Sequence, residues 1–178
     1  ARYRSQGEEM SHFKAELIWS RMLPSKCKFF FWCTLLNSIL TKDILNHRGQ
    51  NLDLLCSMCN LGNESISHLF MHCSKALEVW YVLLQPRRRS FSNVLTADTV
   101  EELLIAWPKG KGGHLGSRIW ELLPYAVIWV FWRIRNDLIF SNKLFSVERT
   151  CNEIKATLWY WLGAWPGRRH YCYPDLVN

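Results

Sequence analysis

CSMCNLGNESISHLFMHCSKALEVWYVLL, residues 56 to 84, places Cys56, Cys59, His68 and Cys73 at a Cys-x2-Cys-x8-His-x4-Cys spacing. Four soft or borderline ligands are thus compressed into eighteen residues, and zinc takes four such ligands tetrahedrally. A Cys-x2-Cys pair lets one tight turn present two thiolates to one ion. The second pair comes from residues 65–84, whose apolar periodicity predicts a helix. The unit reads as a metal-clasped turn feeding a helix. Its fourth ligand is open. His72 follows His68 by four residues and shares its helical face, whereas Cys73 is rotated away in a straight helix. Thiolate favours zinc, so Cys73 ranks first and His72 is the alternative metal ligand, otherwise free to hydrogen-bond beside the site. The bland reading, buried reduced cysteines that happen to cluster, is disfavoured by the close spacing.

The whole chain has 178 residues, enough to bury a real core. The expected organisation is a single helical domain over 1–178, with a zinc-binding subregion at 17–84 and a C-terminal helical subregion at 95–165. The seven cysteines are odd in number, and ARYRSQGEEMSHFK at the start is not built like a secretory leader. The cysteines therefore read as reduced thiols and metal ligands, placing the chain in the nucleus or cytoplasm.

Net charge is +7, which points to anionic partners without specifying them. Its distribution says more. Residues 1–50 hold eight Lys or Arg against four acids, but residues 51–86 hold only Lys75 against Asp53, Glu64 and Glu78. A zinc module that itself grips phosphates needs cations between its ligands, since phosphate contacts supply most of the affinity. This one lacks them. The zinc reads as a structural staple, and candidate nucleic-acid contacts fall elsewhere: Arg87, Arg88, Arg89, Lys109, Lys111, Arg133 and Arg135. Aromatics make up 14% of the chain. Their helical spacing favours a helical core over stacking platforms.

Further elements follow from pattern. AELIWSRML reads as an amphipathic helix closed by Pro24, and KCKFFFWCTLLNSIL as a central core helix. TKDILNHRG is a short helix with Thr41 as N-cap and Gly49 past its end. Residues 87–97 read as a basic linker, followed by a short helix over DTVEELLIAW capped by Asp98 or Thr96. PKGKGGHLG lacks the preceding strand and the GxxxxGK[ST] pattern of a phosphate loop. In SRIWELLPYAVIWVFWRIRNDLIFSNK, Pro124 should kink the helix or start a new one. The apolar run from Leu122 to Trp132 falls short of the roughly 20 residues a bilayer requires, so no membrane association is expected. A further amphipathic helix covers VERTCNEIKATLWYWLGAW, and GRRHYCYPDLVN reads as a poorly ordered tail. No β-alternation is visible. The fold class is all-α, with Phe30, Trp32, Leu36, Trp80, Trp129 and Trp132 expected to be buried together.

From Leu17 to about Lys143 the chain resembles the zinc-binding region near the C-terminus of reverse transcriptases from plant non-LTR (LINE-type) retrotransposons. The residues carrying this are PSKCKFFFWCTLLNSILTKDILNHRG, LCSMCNLGNESISHLFMHCSKALEVW and WRIRNDLIF. Trp32, Leu40 to Asp43, Arg48-Gly49, Glu64 and Trp80 stand in the pattern beside the Cys and His positions. The resemblance implies Cys56, Cys59, His68 and Cys73 as ligands of one structural Zn2+, and derivation from the part of the polyprotein after the polymerase.

It does not imply catalysis. No paired-aspartate polymerase motif occurs, the acidic set of a ribonuclease H is not recognisable, and Tyr173-Pro174-Asp175 is too short a match to a nuclease site. The expectation is a non-enzymatic module without a small-molecule substrate. Its partner is RNA or single-stranded nucleic acid bound with low specificity or, alternatively, a host protein that the module engages or regulates.

Overall fold

In the computed structural model the described residues are 14–19, 21–85, 87–110, 113–141 and 143–177. Helix follows helix: α1 (residues 14–19), α2 (Ser25–Leu35), α3 (Lys42–His47), a π-helical turn (His68–His72), α4 (Ser74–Leu84), α5 (Arg88–Thr96), α6 (Val100–Ala106), α7 (His114–Ser141) and α8 (Val147–Trp161). Two 3-10 turns (Leu162–Ala164 and Pro166–His170) and α9 (Pro174–Val177) complete the described chain. The described residues contain no strand, only an isolated antiparallel bridge between Leu55 and Asn63. The fold is all-α.

The long apolar segment becomes the axis of the core. α7 buries Trp120, Tyr125, Ile128, Val130 and Phe131 among others, and packs along α8 and against the π turn. α4 lies against α8, α5 and the π turn, with Trp80 fully buried and its indole N–H donating to Phe70 O at 2.8 Å. α2 contributes Cys27, Phe30, Phe31 and Leu35 to the same buried cluster. Tyr125 donates its hydroxyl to Leu17 O at 2.7 Å, tying α7 to α1. Truncating a fully buried aromatic such as Phe31 or Phe131 to Ala costs about 3–5 kcal/mol.

Pro124 neither breaks α7 nor starts a new helix. The helix runs 28 residues with Pro124 inside it. Proline removes the N–H that would bond the carbonyl of residue 120. That carbonyl finds another donor, the indole N–H of Trp107, at 2.9 Å. Trp120 in turn donates its indole N–H to Pro108 O at 2.7 Å, and the two indoles stack with centroids 4.9 Å apart. The segment after α6 thus heals the proline's defect from outside.

Other local expectations are corrected. Residues 88–96 are helical, not linker; only Ser90 and Val94 of α5 are buried, so its apolar signal is faint. Thr99, rather than Asp98 or Thr96, caps α6, accepting from the Glu102 N–H at 3.1 Å, while the Glu102 carboxylate takes the Asp98 N–H at 2.9 Å. Residues 65–84 form no single helix, because Cys73 is extended (ψ 131°) between the π turn and α4. The tail is organised into turns and α9. Phe30 and Trp80 are buried, and Trp32, Trp129 and Trp132 pack partly buried against the core. Leu36 is 50% exposed, because α2 ends at Leu35 and the chain turns away through Asn37 at φ 50°.

Candidate metal centre

The Cys56–Cys59 turn is held from both sides. Asn46 at the end of α3 grips Leu52, accepting its N–H at 2.7 Å and donating to its carbonyl at 2.8 Å. Asp53 accepts the Leu55 N–H at 3.0 Å, bending the chain into the turn. Cys56 N–H then bonds Gly62 O at 2.8 Å, and Asn60, left-handed at φ 54°, donates its N–H to Cys56 O at 2.9 Å. Gly62 has a packing reason to be glycine. A Cβ there would lie 3.0 Å from His68 Cε1, so the imidazole rests directly on the loop.

His68 and Cys73 are aligned by the π turn. Ser65 Oγ accepts the His68 N–H at 3.2 Å and opens the segment. Cys73 then donates its N–H to His68 O at 2.6 Å, five residues back. A π turn returns residue i+5, not i+4, to the starting face. Cys73 is thereby buried beside the other sulfurs, while His72 points out and is exposed. Nothing in the spacing announced this wider turn.

The result is a Cys3His cluster whose ligand atoms all lie within 4.8 Å of one another. Cys56 Sγ and Cys73 Sγ are 4.0 Å apart, and Cys59 Sγ and His68 Nε2 are 3.4 Å apart. Tetrahedral zinc with bonds of about 2.3 Å to sulfur and 2.0 Å to nitrogen requires separations of roughly 3.5–3.8 Å. The donor set therefore fits one zinc ion by both chemistry and spacing.

Electrostatics prepares the thiols. The hydrogen bond between the Cys56 and Cys73 sulfurs is the chief influence holding Cys56 below the usual thiol range, with help from the N–H groups of Cys59 and Met58. That same bond, together with burial, drives Cys73 upward, while the N–H groups of Ala76 and Lys75 at the start of α4 favour its thiolate. Zinc takes both sulfurs as thiolates, so binding the ion releases their protons.

Beside the cluster lies an ion pair the sequence did not reveal. Glu64 is fully buried, and its Oε1 accepts from Arg135 Nη2 at 2.7 Å, Arg135 Nε at 3.2 Å and the Lys42 N–H at 3.0 Å. Thr41 makes no side-chain capping bond to α3; Glu64 takes that place from across the loop. Arg135, read as a nucleic-acid contact, is only 4% exposed and unavailable to phosphate. Arg88, Arg89, Lys109 and Arg133 are exposed. Arg87 is also exposed, and its guanidinium lies 4.1 Å over the Trp120 ring. Lys111 lies outside the described residues.

A loop-and-helix segment carrying three thiols and an imidazole around one metal position defines a zinc-binding module. Residues 2–80 match the family described as zinc-binding in reverse transcriptase, and all four cluster residues fall inside that match. The chain is also similar to a putative ribonuclease H protein of Arabidopsis thaliana, at 24% identity over 127 residues. That similarity covers 70% of this chain and 20% of the relative, so the chain spans only a small part of the relative's length. No solved structure matches.

Proposed function

We propose that this chain is a non-catalytic zinc module derived from a retrotransposon reverse transcriptase, and that it binds nucleic acid through surfaces outside the zinc segment. Cys56, Cys59, His68 and Cys73 would hold the ion and fix the loop against α2, α3 and α7. Four protein donors leave no coordination position for water or substrate, which a catalytic zinc requires. The continuous buried cluster from Ile18 to Leu162 supports treating the chain as one domain.

The observation that carries the nucleic-acid reading is the start of α5. Arg88 and Arg89 occupy its first turn with no acid beside them, and cations there oppose the helix dipole, by about 0.3–1 kcal/mol each. A bound phosphate would offset that cost. The name of the plant relative, a putative ribonuclease H, lends the reading support by association.

Fluorescence anisotropy with unrelated RNA and DNA oligomers tests it. Affinity should vary little with sequence, because phosphate contacts carry no base information. It should fall by orders of magnitude between about 50 and 200 mM salt. Replacing Arg87, Arg88 and Arg89 by Ala should weaken all oligomers alike and flatten the salt slope, with Lys75→Ala far milder. No binding at low salt would put the host-protein reading first. That second reading has its own observation: Phe29, Trp19, Phe140 and Tyr160 are all more than half exposed.

A further inference from the structure

The chain leaves α8 through the two 3-10 turns, and these turns build an open cleft. Its volume is about 430 Å³, within the range of small-ligand sites. Trp159, Trp165 and Tyr171 line it together with Arg168 and Arg169. Four other clefts each carry at least one carboxylate: Glu121 in one, Asp43 in the next, Glu148 in the third, Asp137 in the fourth. The lining of this one contains none. Its chemistry is cationic and aromatic.

The rings are seated, not loose. Trp165 and Tyr171 lie nearly parallel, at 20° with centroids 6.0 Å apart. A Cβ on Gly167 would sit 2.2 Å from Trp165 Cζ2, so the glycine is what lets that indole lie flat on the backbone. A Cβ on Gly163 would come within 3.0 Å of Arg168 Nη1, and the guanidinium of Arg168 stacks 4.2 Å over Trp159. Arg169 and His170 are exposed beside them. Fixed aromatic faces next to guanidinium groups, with no carboxylate in the lining, suit a planar ring attached to an anion. In a duplex the base faces are stacked on one another, so only an unpaired nucleotide offers both parts at once.

We propose that this cleft, lined by Trp159, Trp165 and Tyr171 with Arg168 and Arg169, binds an unpaired nucleobase and its phosphate, making the ligand single-stranded. The inference rests on the nucleic-acid reading above and adds its site and strand class. It concerns residues beyond the segment that matches the zinc-binding family.

The zinc-loaded full chain is titrated with labelled single-stranded 12-mers of RNA and of DNA and with a duplex of the same length, each at two salt concentrations. Trp165→Leu combined with Tyr171→Leu should weaken single-strand binding roughly ten-fold, in keeping with the loss of base stacking, and leave duplex binding within about two-fold. Arg168→Gln with Arg169→Gln should lower both and reduce the salt slope. Because the leucine variant could unsettle the turns, photo-crosslinking of wild type to a 4-thiouridine 12-mer gives an independent readout, with the adduct expected on a peptide spanning 159–171. Wild-type binding with unchanged cleft variants, or adducts only on the peptide around Arg87 to Arg89, overturns the cleft and leaves the broader reading standing. Absence of binding by wild type overturns both.

Discussion

Glu64 Oε1 receives donors from three directions: two from the Arg135 guanidinium and one from the backbone of Lys42. Removing one member of a buried pair strands the other's charge, at about 3–5 kcal/mol. Arg135→Leu should therefore lower unfolding free energy by that amount in urea titrations, whereas Arg133→Leu, on the exposed side of the same helix, should change it by less than about 0.5 kcal/mol. The ligands give a second contrast. Cys73→Ser should abolish stoichiometric zinc in metal analysis, and His72→Ala, at an exposed position, should keep it. The Cys and His positions were legible because they sit close together in sequence. The pairing of Glu64 with Arg135 was not, since they lie 71 positions apart and a lone Arg in a basic chain reads as surface.

The choice between Cys73 and His72 turned on helix type, and no composition rule distinguishes a π turn from an α turn. The apolar pattern read α2, α3, α6 and α8, although the caps expected for α3 and α6 are not the ones that bond, and it missed α5, whose arginines and serines resemble linker. Pro124 shows why a correct local rule gave a wrong element. The lost hydrogen bond is real, but Trp107 supplies the missing donor from another segment. A double-mutant cycle tests this. Trp107→Phe should cost about 1–2 kcal/mol by stranding the Trp120 carbonyl. In a Pro124→Ala background, where residue 124 regains its N–H, the same change should cost measurably less. Equal costs in both backgrounds would remove Trp107 from that role.

At the scale of the whole molecule, the described residues form one buried cluster, to which Cys56, Cys73 and their neighbours Met58, Ile66, Leu69 and Phe70 belong. Metal binding and core packing are therefore coupled, because for a site assembled only on folding, zinc-binding free energy is folding free energy. Removing zinc with a chelator should lower the thermal midpoint and raise hydrogen exchange first across residues 52–73. The helical circular dichroism of α7 and α8 should persist at moderate temperature. Acid should act in the same direction as chelator, since protons compete with zinc for the thiolates. Loss of all helical signal at the first stoichiometric chelation would show the zinc to be a condition of the entire fold.

The Glu64–Arg135 pair has a practical corollary for anyone who cuts this polypeptide. Sequence matching draws its boundary at residue 80, and an expression fragment ending there would keep every cysteine and histidine of the cluster. It would also keep Glu64 and discard the guanidinium that neutralises it, along with Trp129 and Trp132, whose rings lie 5.2 and 5.8 Å from Phe30. Such a fragment inherits an acid with no counterion and an oily face with no cover. It should precipitate or recruit a substitute chain, whereas one carried through α8, past residue 162, should stay in solution.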